Sequence, residues 1–267
     1  MLSYQHAYHA GNLADVHKHA ALAWMLARLT VKPKPLTYIE THAGRGLYDL
    51  SGMEATKTGE AAAGIQRDGL LDSFPPDHPY RQVLAKIQAA HGPSAYPGSP
   101  LIAAHLLRPE DTLILSELHP TEHAALTEAL RNSGSHVTRH IHARDGFQIA
   151  RSVTPPEPRR GLLMVDPSFE VKSDYETIPK FFTDVHRRWN VGILVLWYPL
   201  LADNRHRPML SQLTRTFPDG IRHEVRFPPA RTGHGMSGSG LFIVNAPYGL
   251  HECLASLTQV FDGLSPA

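Results

Sequence analysis

Residues 162–169 read LLMVDPSF, four apolar side chains in an unbroken run followed by Asp166, Pro167, Ser168 and Phe169. The run has the length and character of a strand buried on both faces, and the Asp-Pro pair stops it. Pro167 disfavours the helical region for the residue before it, so Asp166 stays extended at the carboxyl end of the strand. Aspartate and proline are also ordinary strand terminators, and the chemistry of Asp166 therefore depends on what stands at the neighbouring strand ends.

Outward from this stretch the apolar periods alternate. LTYIE (36–40), TLILSE (112–117), HVTRHI (136–141), GLLMVD (161–166) and VGILVLWYP (191–199) read as strands. PTEHAALTEALRN and DYETIPKFFTDVHRRW follow two of them with helical spacing, and GNLADVHKHAALAWMLARLT before the first strand reads as a helix capped by Asn12. Alternating strand and helix implies an α/β fold, a mostly parallel sheet covered on both faces. Residues 50–110, rich in Gly and Pro with two short helices, read as a helical insertion between the first and second core strands, within one domain spanning 1–267. IRHEVRFPP and GLFIVNAPY, joined by the Gly/Ser-rich ARTGHGMSGSG as a loop, read as an antiparallel edge near the C-terminus.

At 267 residues and 42% hydrophobic content the chain buries a sizeable core, which excludes disorder. A single cysteine, Cys253, forms no internal disulfide, and MLSYQHAYHAGNLADV lacks the pattern of a signal peptide, so a reducing cytoplasm is expected. No apolar run is long enough to span a membrane. The net charge of +1 neither demands nor excludes nucleic acid.

Ligands of such sheets sit beyond the carboxyl ends of the strands. There the first strand carries Glu40-Thr41-His42-Ala43-Gly44-Arg45-Gly46, whose glycines allow backbone to approach a ligand. The second ends in Glu117, an acceptor suited to ribose hydroxyls, and the third in Asp145-Gly146, which an unliganded turn explains equally well. The fourth supplies Asp166. On residues alone Glu117 is equally a surface acid, and His19 reads as a helix-surface histidine without a mechanism.

ETHAGRG, the strand-terminal Glu, the Asp-Gly and D-P-x-aromatic together resemble class I S-adenosylmethionine-dependent methyltransferases acting on adenine N6. With MLSYQHAYHAGNLADVHKH, YPGSPLIA, SELHP, LWYP and GMSGSGLFIVNAPY, the chain is similar nearly end to end to the bacterial 23S ribosomal RNA adenine-N6 methyltransferases. The resemblance implies a Rossmann-like sheet and S-adenosylmethionine as cofactor. It puts His19, His42, Ser99, Glu117, Asp145, Gly146 and Asp166 around the donor, beside Gly44 and Gly46, and makes Tyr4 a substrate contact. The family's D-P-P-aromatic motif departs here at Ser168, which regains a backbone N–H and frees φ.

The chemistry is consistent with those roles. An adenine amino nitrogen is a poor nucleophile because its lone pair is delocalised. Asp166 and the Pro167 carbonyl accept its two N–H groups, interactions that strengthen as charge develops, and Asp166 then takes the proton. Phe169 offers a flat face to an extruded base, and no metal is required. NAPY (245–248) imitates the motif but lacks the proline after Asn245 and ends the antiparallel strand away from the cofactor. Among the 18 histidines, His17 and His19 face different ways and His140 and His142 lack partners at zinc spacing. Arg159, Arg160, Arg187, Arg188, Arg205, Arg207, Arg222, Arg226 and Arg231, joined by Lys18 and Tyr4 near the site, are the candidate RNA contacts. The expected partner is 23S rRNA, protein-free or in an early assembly intermediate, with no membrane and no stable protein partner. The alternatives are a DNA adenine methyltransferase and a non-catalytic nucleic-acid-binding protein linked to DNA uptake or use.

Overall fold

The computed structural model describes residues 5–228 and 235–264. A 3-10 turn, His6–Tyr8, precedes helix α1 (Leu13–Thr30), whose Asn12 side chain accepts from the Asp15 amide as expected of a cap. Strand β1 (Thr37–Glu40) opens the sheet. Small elements follow: β2 (Leu47–Asp49), α2 (Met53–Thr58), α3 (Glu60–Ala63), α4 (Pro79–His91), β3 (Ala95–Pro97) and α5 (Ser99–Leu106). Strand and helix then alternate through β4 (Thr112–Ser116), α6 (Pro120–Arg131), β5 (Thr138–His142), α7 (Gly146–Val153), β6 (Gly161–Val165), α8 (Asp174–Arg188), β7 (Ile193–Leu201) and α9 (Arg207–Thr216). The described chain closes with β8 (Ile221–Arg226), β9 (Met236–Val244) and α10 (Leu250–Asp262).

Seven strands form one sheet in the order β5-β4-β1-β6-β7-β9-β8, and β2 pairs with β3 apart from it. β5, β4, β1, β6 and β7 are mutually parallel, as the apolar runs predicted. The antiparallel pair β8 and β9 forms one edge of the sheet, as expected. β9 lies between β7 and β8, antiparallel to both, and β8 is the outer strand. Side-chain patterning gives the reason: Leu241, Phe242, Ile243 and Val244 of β9 are all buried, whereas β8 alternates between covered and exposed positions. β9 also begins at Met236, inside the stretch read as a loop. The glycines there serve packing, since a Cβ on Gly240 would lie 2.2 Å from the Tyr198 ring.

One apolar layer gathers under α1, α4, α5, α6 and α10, and a second under α7, α8 and α9 on the opposite face. α1 is enclosed by α4, α5, α10 and β9, so even its polar residues Asp15, His17, Lys18 and His19 are buried. His19 is therefore not the surface histidine that residue spacing alone suggested.

Candidate active site

β1 pairs with β4 on one side and β6 on the other, so the chain changes direction across the sheet at β1. Beyond the carboxyl ends of β1, β4 and β6 lies a cavity of about 360 Å³, within the range of small-molecule sites. Of the predicted residues, Lys18, His19, His42, Gly44, Ser99, Glu117, Asp166, Pro167 and Phe169 line it. α1 contributes Lys18 and His19 from above the sheet, and α5 contributes Ser99 at its first turn.

Asp166 meets a buried cation. Lys18 Nζ lies 2.6 Å from Asp166 Oδ2 and 3.0 Å from Asp15 Oδ1, and Lys18 is 5% exposed. Burial works against the Lys18 charge, but Asp166 and Asp15 outweigh it and hold the ammonium above its ordinary range. Burial likewise opposes ionisation of Asp15, yet His6, Lys18 and His19 hold its carboxyl well below the usual value. Asp15 accepts from the Gly11 amide at 3.0 Å and contacts His6 Nε2 at 2.9 Å. Lys18 thus ties the first helix to the end of β6, leaving Asp166 Oδ1 with no protein partner among the described residues.

At the end of β1 the chain turns through Gly44, whose φ of +63° L side chains rarely adopt. A Cβ there would lie 2.5 Å from the Tyr48 hydroxyl. Glu117 accepts the Gly44 amide through Oε2 and the His119 amide through Oε1, both at 2.8 Å, so one carboxylate braces both loops of the cavity. Ser99 Oγ donates a short bond to Glu40, which also accepts from Tyr38 at 3.0 Å. Burial, with Asp166 nearby, pushes the Glu40 carboxyl up to about 8 despite the hydrogen bonds that favour the anion. Burial lowers His42 to about 4 and His19 to about 3; His19 Nδ1 lies 2.9 Å from the Tyr96 hydroxyl.

Asp145, Gly146 and Gly46 stand outside the cavity lining. Asp145 caps α7 by accepting the Gln148 amide at 2.8 Å, and Gly146 sits against the Thr41 carbonyl. Gly46 faces Leu126 of α6. Tyr4 and Arg231 lie outside the described residues. Among the described residues no group of three His, Cys, Asp or Glu is placed to hold a metal. Phe169 lines the wall with φ +56°, 5% exposed, its ring 4.8 Å from that of Tyr175.

The family model described as "Ribosomal RNA large subunit methyltransferase D, RlmJ" matches residues 33–263. Ribosomal RNA large subunit methyltransferase J of Escherichia coli (strain K12) is 38% identical over 94% of this chain and 90% of its own. The protein of that name from Haemophilus influenzae is 37% identical over 97% and 94%. The chain belongs to the RlmJ family. A crystal structure of LPL1258 from Legionella pneumophila superposes with a TM-score of 0.83 at 35% identity, covering 95% of this chain and 94% of that one.

As an RlmJ family member the chain is an rRNA methyltransferase, with S-adenosylmethionine as cofactor. The cavity fits that molecule chemically. Glu117 stands in its wall with lone pairs beyond those given to the Gly44 and His119 amides, and His119 Nδ1 is a buried polar atom lacking a protein partner among the described residues. Residue reading missed several cavity residues: His6, Asp15, Glu122, His119, Tyr48 and Trp197. Asp15 had a signal in its i, i+3 spacing to Lys18. Trp197 had one in its position near the end of an apolar run.

Proposed function

We propose that this protein methylates the N6 amino group of an adenine in 23S rRNA, with Asp166 and the Pro167 carbonyl as acceptors of the two amino hydrogens. The observation that carries the reading is Asp166 at the end of β6, 2.6 Å from buried Lys18 and lining the cavity. Bound S-adenosylmethionine supplies an electrophilic methyl group. Asp166 Oδ2 is engaged by Lys18, so Oδ1 is the oxygen offered to an N–H of the amine. That bond and the Pro167 carbonyl favour the pyramidal nitrogen and strengthen as positive charge develops on it. The methylated ammonium nitrogen is strongly acidic, so Asp166 serves as its proton acceptor, directly or through water.

The donor side rests on Glu117, Gly44, His42, Ser99 and His19. Glu117 has lone pairs beyond the two it gives to backbone amides, as ribose hydroxyls require. Asp145 and Gly146 act here as supports that seat α7 against β1, reaching the donor only from outside the cavity lining.

Protein-free 23S rRNA, assembled subunits and duplex DNA are to be incubated side by side with labelled donor, and the label identified after digestion to nucleosides. The reading expects N6-methyladenine from 23S rRNA. Label in DNA alone, or on any other nucleoside, overturns it, and absence of label from every substrate favours a binding protein.

A further inference from the structure

A line of hydrogen bonds runs from the cavity past β8 to helix α10. Trp197 Nε1 donates to Ser239 Oγ at 2.9 Å, and Ser239 Oγ lies 2.8 Å from His17 Nδ1. His17 Nε2 lies 2.9 Å from His223 Nδ1, and His223 Nε2 lies 2.9 Å from Thr258 Oγ1, which donates to the Leu254 carbonyl at 3.1 Å. The two ends set the direction of the whole line. An indole N–H only donates and a carbonyl only accepts. The Thr258 hydroxyl, spent on Leu254, accepts from His223 Nε2–H; His223 Nδ1 then accepts from His17 Nε2–H, and His17 Nδ1 accepts from the Ser239 hydroxyl. In this direction each bond of the line has a donor and an acceptor, and both rings are neutral with the proton on Nε2. Burial lowers both imidazoles, that of His17 strongly, in keeping with neutral rings.

The line ends on the ring best placed to meet a base. Trp197 lines the cavity and is only partly buried, whereas Phe169 is 5% exposed and packed on Tyr175. Lys18 Nζ, bonded to Asp166, stands 5.4 Å from the Trp197 ring centroid, so this ring borders the acceptor of the amine. We propose that Trp197 is the face on which the target adenine stacks, and that Ser239, His17 and His223 are positioning residues that hold its indole. This rests on the adenine-N6 reading above. A ring held at its nitrogen from behind loses little freedom when a base settles on it, so the hydrogen-bonded line acts on substrate affinity rather than on donor affinity.

Three variants and one spectrum test it. Trp197→Ala should raise KM for 23S rRNA by roughly 5- to 150-fold, the range of one base–aromatic contact. Trp197→Phe, which keeps a ring, should recover most of that loss, and Ser239→Ala should raise KM about 2- to 10-fold. Donor affinity by calorimetry should hold within about twofold in all three. Nitrogen-15 NMR of the wild type should place the proton of His17 and His223 on Nε2, and the Trp197 indole proton should exchange faster in Ser239→Ala. Unchanged KM in Trp197→Ala and Ser239→Ala, with the wild type forming N6-methyladenine, overturns the inference alone. A wild type that methylates no adenine overturns the underlying reading, and the stacking role with it. If Trp197→Ala does not fold, Ser239→Ala decides the functional arm; Nδ1–H on either histidine overturns the positioning line.

Discussion

Asp166 is held by a cation that was not obvious as its partner, and its replacement separates chemistry from binding. Asp166→Asn keeps the shape but offers Lys18 and the amine a neutral amide, so turnover should fall about 100-fold or more while donor affinity, measured by calorimetry, changes far less. Near-normal turnover would move the catalytic role elsewhere. Ser168 poses a smaller question. Its hydroxyl accepts only a 3.5 Å contact from the Glu170 amide, and its own N–H donates no hydrogen bond among the described residues. Ser168→Pro should therefore be accepted, with turnover held or raised and stability up by about 0.4 to 1 kcal/mol in urea unfolding. A stable variant with sharply lower methyl transfer would mean that serine makes a substrate contact. The neighbouring Phe169 at φ +56° was not foreseeable, because nothing in an aromatic residue announces a left-handed backbone.

At the scale of elements, α1 departs most from an ordinary amphipathic helix. Its first three turns are buried all round and carry Asp15, His17, Lys18 and His19 into the interior, each satisfied by a residue distant in sequence or by a helix neighbour. Its start depends on Asn12, which accepts the Asp15 amide at 2.8 Å and donates to Glu60 at 3.0 Å. Asn12→Ala removes a cap and one of Glu60's donors, an expected loss of about 1 to 3 kcal/mol in denaturant unfolding. Asn12→Asp keeps the capping oxygen but sets a second carboxylate against Glu60, so it should not rescue. Full rescue by aspartate would show that capping alone matters. Between β1 and β4, Glu117→Ala should weaken donor binding by one or two charge-assisted bonds, about 1.5 to 3 kcal/mol each, and unchanged calorimetric affinity would remove Glu117 from the site.

Across the whole molecule the buried titratable groups bound stability on both sides. His19 and His42 are lowered by burial from 6.5 to about 3 and about 4. The unfolded chain takes up these protons first, so stability should fall as pH drops below about 6.5, continuing through about 4 for His42 and about 3 for His19. Glu40, raised from 4.5 to about 8, acts oppositely: the unfolded chain ionises first and stability is lost as pH rises through that interval. Urea midpoints measured across pH without donor should show both limbs, and Glu40→Gln should flatten the alkaline one; an unchanged slope would deny Glu40 its buried proton. Topology also sorts the arginines. Arg205, Arg207 and Arg226 lie at the carboxyl end of the parallel strands, with the cavity, while Arg159, Arg160, Arg187, Arg188 and Arg222 lie at the opposite end. Arg160 there donates to the Lys34 and Leu29 carbonyls, a structural use of its charge. The decoy Asn245 sits at that far end too, donating to Asn190 and Gly192 carbonyls. By itself the sequence determined the alternation of elements, the parallel core and the acids at its strand ends, because period, length and stop residues are local properties of the chain. Only the tertiary structure decided that β9 runs inside the sheet, that α1 is enclosed, and that Lys18 meets Asp166 and Trp197 meets Ser239. Those pairings join residues 148 and 42 positions apart, and no local pattern encodes which distant groups burial will force together.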